Sequence, residues 1–394
     1  MPDNVKTTRL LPAKPHSFPS LQRCGTIEDV HTADDTRWIA EQAEKLGFDL
    51  CGVVRTEKFP ELQQFEEWLG RDYGGEMKYL ADERRREPAL VMDNLQSAIV
   101  CALNYNTAYP YSIDAAAAPA ASGPRGWISR YAWGSDYHEV LWEKLNALQA
   151  ALHEKFTEPF AARSYADTGP VAERIFAKYA GLGWLGKNTL LLNETLGSWS
   201  FLGVILTSLD LRPTLAPAES PPPDLCGQCR QCLDACPTGA LVEPYVMDAR
   251  KCISYLTIEL RGEIPEPLRE PMGWQVYGCD ICQDVCPYNR QAPTTQIPKF
   301  QPRRTTNNES LFQPELLWLA SLNEQEFRDN FRGSAMKRAK WKGLVRNACN
   351  ALGNAKVKKG TPEHQEIATL LSRLAQSPES SIAVSAQWAL SRIE

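Results

Sequence analysis

Eight cysteines between residues 226 and 286 carry the clearest chemistry in this chain. Cys226, Cys229, Cys232 and Cys236 follow the spacing C-x2-C-x2-C-x3-C, with Pro237 directly behind. Such a run wraps one loop around three corners of an iron–sulfur cubane, and its fourth cysteine serves a second cluster. A second set must then exist. "CDICQDVCP" supplies Cys279, Cys282 and Cys286, and Cys252 in "RKCISYL" is the eighth thiol. Crossed ligation assigns Cys226, Cys229, Cys232 and Cys286 to one cluster and Cys236, Cys252, Cys279 and Cys282 to the other. The soft thiolates suit iron–sulfur corners. Structural zinc also uses C-x2-C pairs, but as two separated pairs rather than this doubled run. The spacing therefore points to two 4Fe–4S clusters. Cys24, Cys51, Cys101 and Cys349 stand apart and read as small buried hydrophobes.

Thiols in this number need a reducing setting. The N-terminus has no apolar signal segment, and no apolar run is long enough to span a membrane. The expected location is the cytoplasm, where cysteines serve metals or catalysis rather than disulfides. With 394 residues, 43% of them hydrophobic, the chain is long enough for two or three domains. A net charge of −5 carries no global nucleic-acid signature.

The elements that must hold the thiols follow from periodicity. Residues 1–30 read as a loose leader. Ile39, Ala43 and Leu46 recur at helical spacing before Gly47, and Phe48 to Val54 is β-rich. "SAIVCALNY" (97 to 105) and "SWSFLGVILTSL" (198 to 209) read as strands. Val140, Leu141, Leu145, Leu148 and Leu152 share one face of a helix. Strands alternating with helices argue for an α/β first domain. Residues 114–126 read as a surface loop, and the proline-rich stretch 211–224 as a boundary. Near the C-terminus "RNACNALG" and "VSAQWALS" echo one another at an offset of 38, near the period of two-helix solenoid repeats. A HEAT-like helical pair is expected there.

Two clusters alone make an electron relay, and the residues before them need another purpose. "RYAWGSDYH", "YADTGPVAERIFAKYAGLGWLGKNT", "GSWSFLGVILT", the two cysteine runs and "WKGLVRNACNALGN" occur in that order. Together, over residues 35 to 360, the chain resembles the epoxyqueuosine reductases, iron–sulfur and cobalamin enzymes of tRNA modification that are related to reductive dehalogenases. The resemblance implies a leader (1–30), a cobalamin- and substrate-binding α/β (α+β) domain (31–210), a ferredoxin-type double 4Fe–4S domain (211–295) and a HEAT-like tRNA-binding domain (296–394). It implies two-electron deoxygenation of epoxyqueuosine at the wobble position of a tRNA. Base-off cobalamin, with no protein histidine on cobalt, would be fed through the clusters by an external flavodoxin, ferredoxin or reductase. The expected state is a monomer.

Carried over residue by residue, the resemblance makes Asp167 the proton donor and a cobalamin neighbour. An ordinary Asp is ionised at neutral pH, so a pocket that raises its pKa is expected. The bland reading is a turn Asp ahead of a helix starting at Pro170. Arg85 corresponds to an arginine near cobalamin, with Arg84 and Arg86 as alternatives, and Ser129 corresponds by spacing. Lys187 and Asn188, on a glycine-rich turn, would reach the amide rim of the macrocycle. Ser254 and Asp280 would sit where the second cluster approaches it. Asp136, with Glu139, reads as a helix cap, and His138 reads equally as packing, as support or as catalytic. "GLGWLG" follows no clear strand, so a dinucleotide fold is rejected.

Residues 331–360 hold nine Lys or Arg and no acid, inside a chain of net −5. Lys337, Arg338, Lys340, Lys342 and Arg346 are the expected phosphate contacts, with Trp341 among them; the plain alternative is a solvated helix face. A small-molecule reductive dehalogenase would leave this stretch unexplained. A bare electron-transfer subunit would leave "YADTGP" unexplained.

Overall fold

The computed structural model describes residues 31–57, 59–115, 123–216 and 219–393. Cys24, the leader to residue 30 and most of the alanine-rich loop lie outside the described residues. The first helix, Ala33–Lys45, starts with a reciprocal cap. Thr32 Oγ1 accepts from the Asp35 amide and the Asp35 carboxylate accepts from the Thr32 amide. Gly47, at φ +81°, turns the chain into the strand Leu50–Arg55.

That strand joins a four-stranded sheet in the order 50–55, 97–104, 200–207, 162–165. Every neighbouring pair is antiparallel. The alternation of strands and helices suggested an α/β layout, whereas the sheet is antiparallel. The excursions between neighbouring strands are long enough to return the chain from the opposite end, so no strand–helix–parallel-strand unit forms. The short strand Ala162–Tyr165 carried no sequence signal of its own.

Ser97–Asn104 is buried along its whole length because both faces of the sheet are covered. Ile99, Cys101 and Leu103 meet Leu141, Leu145 and Leu148 of the helix Tyr137–Lys155. Ala98, Val100 and Ala102 meet Phe176 and Ala177 of the helix Glu173–Tyr179. Period-two alternation thus feeds two cores from one strand. Cys51 does not stand apart as expected: it sits opposite Cys101, with the sulfurs 3.7 Å apart.

The helix Lys340–Asn354 is buried from Gly343 to Gly353 and packs on the helix Ser380–Ile393. Contact is close enough that a Cβ on Gly353 would come within 2.7 Å of the Trp388 ring. Ala348, Ala351, Leu352, Ala386 and Ala389 of the internal echo are buried. One hydrophobic cluster runs from Ile39 through Trp127, Trp133 and Phe300 to Ala389. The sheet and the C-terminal helices therefore share a core. Among the described residues no helix is long and apolar enough to cross a membrane.

Candidate functional site

The mouth of the site is built at the start of the helix Tyr137–Lys155. Asp136 caps it by accepting from the His138 amide at 3.2 Å. The same carboxylate receives His138 Nδ1 at 2.6 Å and Lys337 Nζ at 2.7 Å. Burial works against the charge of Asp136, but these partners hold it well below the usual carboxylate range. Tyr137 lies flat against Phe201, ring centroids 4.4 Å apart, which fixes its hydroxyl. That hydroxyl donates to Asp167 Oδ2 at 2.5 Å. His138 Nε2 stands 3.7 Å from the same oxygen.

Asp167 follows the strand Ala162–Tyr165 and adopts φ +58°, a left-handed conformation that non-glycine residues visit mainly in turns and at functional sites. Its side chain is 65% exposed. The expected rise in its pKa called for an apolar or cobalamin-covered pocket; the protein groups alone act the other way. Partial burial pushes the carboxyl up, but the hydrogen bond from Tyr137 and the charges of His138 and Arg174 bring it below its ordinary value. The proton resides next door. Burial disfavours a charged His138, yet Asp136 and Asp167 outweigh it and hold the imidazole at about 9. His138 therefore stands between the two carboxylates, Asp136 and Asp167. The helix expected at Pro170 starts at Glu173.

Of the three consecutive arginines, Arg84 turns outward onto Asp82. Arg85 turns inward, 5.6 Å from the Tyr79 ring, with a buried Nε that has no protein partner. Glu173 faces Arg85 and Asp167 and likewise has a buried, unpartnered Oε1. Burial and the charge of Asp167 push Glu173 up to about 8. Sequence reading passed over Glu173 and Tyr137. A lone acid at a helix start has no signature, although Tyr137 lies inside the quoted "DYH".

The eight thiols gather as two sets, and all are free. Cys232 faces Cys226, Cys286 and Cys229; Cys286 faces Cys226 and Cys229. Cys279 faces Cys282 and Cys252, and Cys252 faces Cys236. Cys282 faces Cys252, Cys232 and Cys236, so the two sets meet between Cys232 and Cys282. This grouping is what crossed ligation requires. Backbone amides point at the sulfurs, as Ala240 N does at Cys236 Sγ, 3.3 Å away. Burial and the neighbouring thiols raise Cys232 to about 11, so cluster assembly must expel protons from this region. An all-sulfur donor set of eight fits two iron–sulfur clusters.

Several of the expected ligand contacts also serve the fold. Ser129 and Asp280 are buried against each other, with Asp280 also accepting from Trp127 Nε1 and the Arg130 amide. Lys187 reaches the carbonyls of Gly227 and Cys229 and so braces the first cysteine loop. Asn188 is buried, accepts from the Leu190 amide and approaches the Cys282 carbonyl at 3.5 Å. A Cβ on Gly183 would meet the Leu192 carbonyl, so this glycine makes room for a neighbouring strand. Ser254 directs its amide and hydroxyl at Cys252.

The basic stretch is corrected at one residue. Arg346 is fully buried and donates to the carbonyls of Leu256, Leu260 and Gly262, so it cannot touch phosphate. Lys337, Arg338 and Lys342 are exposed but paired with Asp136, Glu259 and Glu379. Lys340 and Lys342 line an open groove of about 820 Å³ with Trp341 and Arg261, away from Asp167. Lys337 ties the basic segment to the site through Asp136.

Comparison with known proteins agrees with this geometry. Residues 225–289 match the family model described as "4Fe-4S double cluster binding domain". Residues 85–168 match "Epoxyqueuosine reductase QueG, DUF1730". The epoxyqueuosine reductase of Gloeobacter violaceus is 44% identical over 322 residues, covering 80% of this chain and 95% of that one. That of Escherichia coli is 40% identical over 314 residues, covering 79% of each. A crystal structure of an epoxyqueuosine reductase with an epoxyqueuosine-modified tRNA-Tyr stem loop superposes with TM-score 0.78 at 30% identity, over 91% of this chain and 90% of that one. A Bacillus subtilis epoxyqueuosine reductase, with its catalytic aspartate loop swung out of the active site, gives TM-score 0.77 at 31% identity and the same coverage. With sequence identity at this level over four-fifths of its length, the chain belongs to the epoxyqueuosine reductase family.

Proposed function

We propose that this protein reduces epoxyqueuosine in tRNA to queuosine, using two electrons delivered one at a time by an external donor through two 4Fe–4S clusters. The observation that carries the reading is the meeting of Asp167, Tyr137 and His138 at an open mouth rimmed by Lys337. Cys226, Cys229, Cys232 and Cys286 would hold one cluster, and Cys236, Cys252, Cys279 and Cys282 the other. The family resemblance adds cobalamin, and the unused hydrogen-bonding atom of Arg85 fits a ligand rimmed with amides. Bound there, cobalamin would supply a strongly reducing metal centre at the substrate carbon.

The chain's own residues manage the oxygen. The Tyr137 hydroxyl orients Asp167. A substrate covering the open side of Asp167 strips water from the carboxylate and raises its proton affinity. His138 then passes its proton to Asp167, and Asp167 passes it to the departing oxygen. Lys337, Arg338, Lys340 and Lys342 would hold phosphates of the RNA, positioning it without reading its sequence.

The test is anaerobic reconstitution, followed by metal counting and incubation with an epoxyqueuosine-bearing stem loop and a chemical reductant. About eight irons and one cobalt per chain are expected, with conversion to queuosine. Full iron loading with no cobalt retained would leave only an electron relay.

A further inference from the structure

Resting on the reductase reading, we propose that Asp136 and Lys337 are positioning residues for the proton on His138: Asp136 fixes which ring nitrogen gives it up, and Lys337 sets how readily it leaves. The contacts are direct. Asp136 Oδ1 lies 2.6 Å from His138 Nδ1, and Asp136 Oδ2 lies 2.7 Å from Lys337 Nζ. An ionised carboxylate only accepts, so Nδ1 carries a hydrogen. The neutral ring left after transfer is then the Nδ1–H tautomer, and Nε2 is the nitrogen that releases the proton. Nε2 is buried, has no hydrogen-bond partner and stands 3.7 Å from Asp167 Oδ2. That separation is a small side-chain adjustment away from a hydrogen bond, as is usual before substrate is bound. The proton leaves Nε2 and joins Asp167 Oδ2, and no electron moves in this step.

The backbone places Lys337 for its part. The Asp136 amide donates to the Gly333 carbonyl at 2.8 Å, and Gly333 turns the chain at φ +62°. Ser334 Oγ accepts from the Met336 amide and caps the short helix Ala335–Ala339. The segment 333–337 is thereby held against the start of the helix Tyr137–Lys155. From there the ammonium of Lys337 reaches the Asp136 oxygen that His138 does not use. The groups around His138 are Asp136 and Tyr137 from its own helix start, Asp167 with Arg174 behind it, and Lys337. Tyr277 faces Asp136 from the strand Gln275–Tyr277. Apart from the imidazolium, Lys337 is the only cation paired with Asp136 among the described residues. A carboxylate shared with an ammonium attracts the imidazolium less than an unshared one. Asp136 is only 1% exposed, so water does little to screen it. Lys337 therefore keeps His138 from holding its proton too tightly to yield it to Asp167. The same lysine belongs to the basic segment, so the RNA-facing surface and the acid share one residue.

The experiment uses the full chain with its clusters reconstituted and oxidised, and with histidine isotopically labelled. The chain has five histidines, and the His138 signal is the one missing from His138→Gln. Its NMR titration is followed without substrate in wild type, Lys337→Gln, Lys337→Arg and Asp136→Asn, each checked for equal iron content. The wild-type midpoint should lie at about 9. Lys337→Gln should raise it by about one pH unit, Lys337→Arg should leave it in place, and Asp136→Asn should lower it. Lys337 is 61% exposed, so its replacement tests the idea even where Asp136→Asn does not fold. Single-turnover rates on the epoxyqueuosine stem loop follow, with cobalamin added. The wild-type rate should fall as pH rises through about 9. Lys337→Gln should move that limb upward and slow the plateau below it by about threefold, and Lys337→Arg should restore both. A His138 titration unmoved by Lys337→Gln overturns the proposal, since a lysine that only touches phosphate or braces the fold would leave it so. An equal shift in Lys337→Arg overturns it too, because the charge would then not be the cause. Titrations that move as expected in a wild-type chain that converts no epoxyqueuosine overturn the reductase reading, and the acid role with it.

Discussion

At the scale of single residues, the chemistry divides by how local its determinants are. The double-cluster pattern was legible because iron–sulfur spacing is written into short loops. Asp167 was legible as a position but not as a protonation state. Its neighbours Tyr137 and His138 arrive from a helix some thirty residues earlier, and only the fold shows that one of them carries the charge. This has a consequence for stability. His138 has a folded pKa raised from 6.5 to about 9, so its stabilising contribution is complete below 6.5 and lost as pH rises through about 9. The melting temperature of the wild type should therefore fall across that window, and His138→Gln should flatten the fall. Asp167→Asn should keep iron content and melting temperature near wild type while slowing single turnover by about 10²–10⁴-fold.

At the scale of elements, periodicity could be read from the residues but direction could not. The strand 97–104 and the helix 137–155 were placed within a residue or two, because their apolar patterns are long. The antiparallel pairing was not legible, since nothing within a strand records the direction in which its neighbour runs. The helix 340–354 shows the same limit for charge. A count of cations cannot distinguish Lys340, which is exposed, from Arg346, which closes the end of the helix Ile253–Ile258 by binding three carbonyls. Arg346→Ala should cost about 2–5 kcal/mol by leaving buried carbonyls unpaired, seen as a lower urea midpoint. Lys340→Ala should leave that midpoint unchanged.

At the scale of the whole molecule, the net charge of −5 conceals the basic segment 331–360, the part proposed to hold RNA by phosphate. Replacing Lys340 and Lys342 with Gln should weaken stem-loop binding and reduce the slope of log K against log salt by about one unit per lost contact, measured by fluorescence anisotropy. Domain edges were drawn from composition, and composition cannot show that the apolar faces on either side of an edge join one cluster.

The hydrophobic cluster that runs from Ile39 to Ala389 sets a limit on modular engineering. The C-terminal helices are keystones: cutting them away would strip from that shared core the faces that Leu344, Leu352, Ala386 and Ala389 bury. A minimal catalyst cannot be carved from this chain at its proline-rich joints, and any graft onto another RNA-binding module must carry the last helix along.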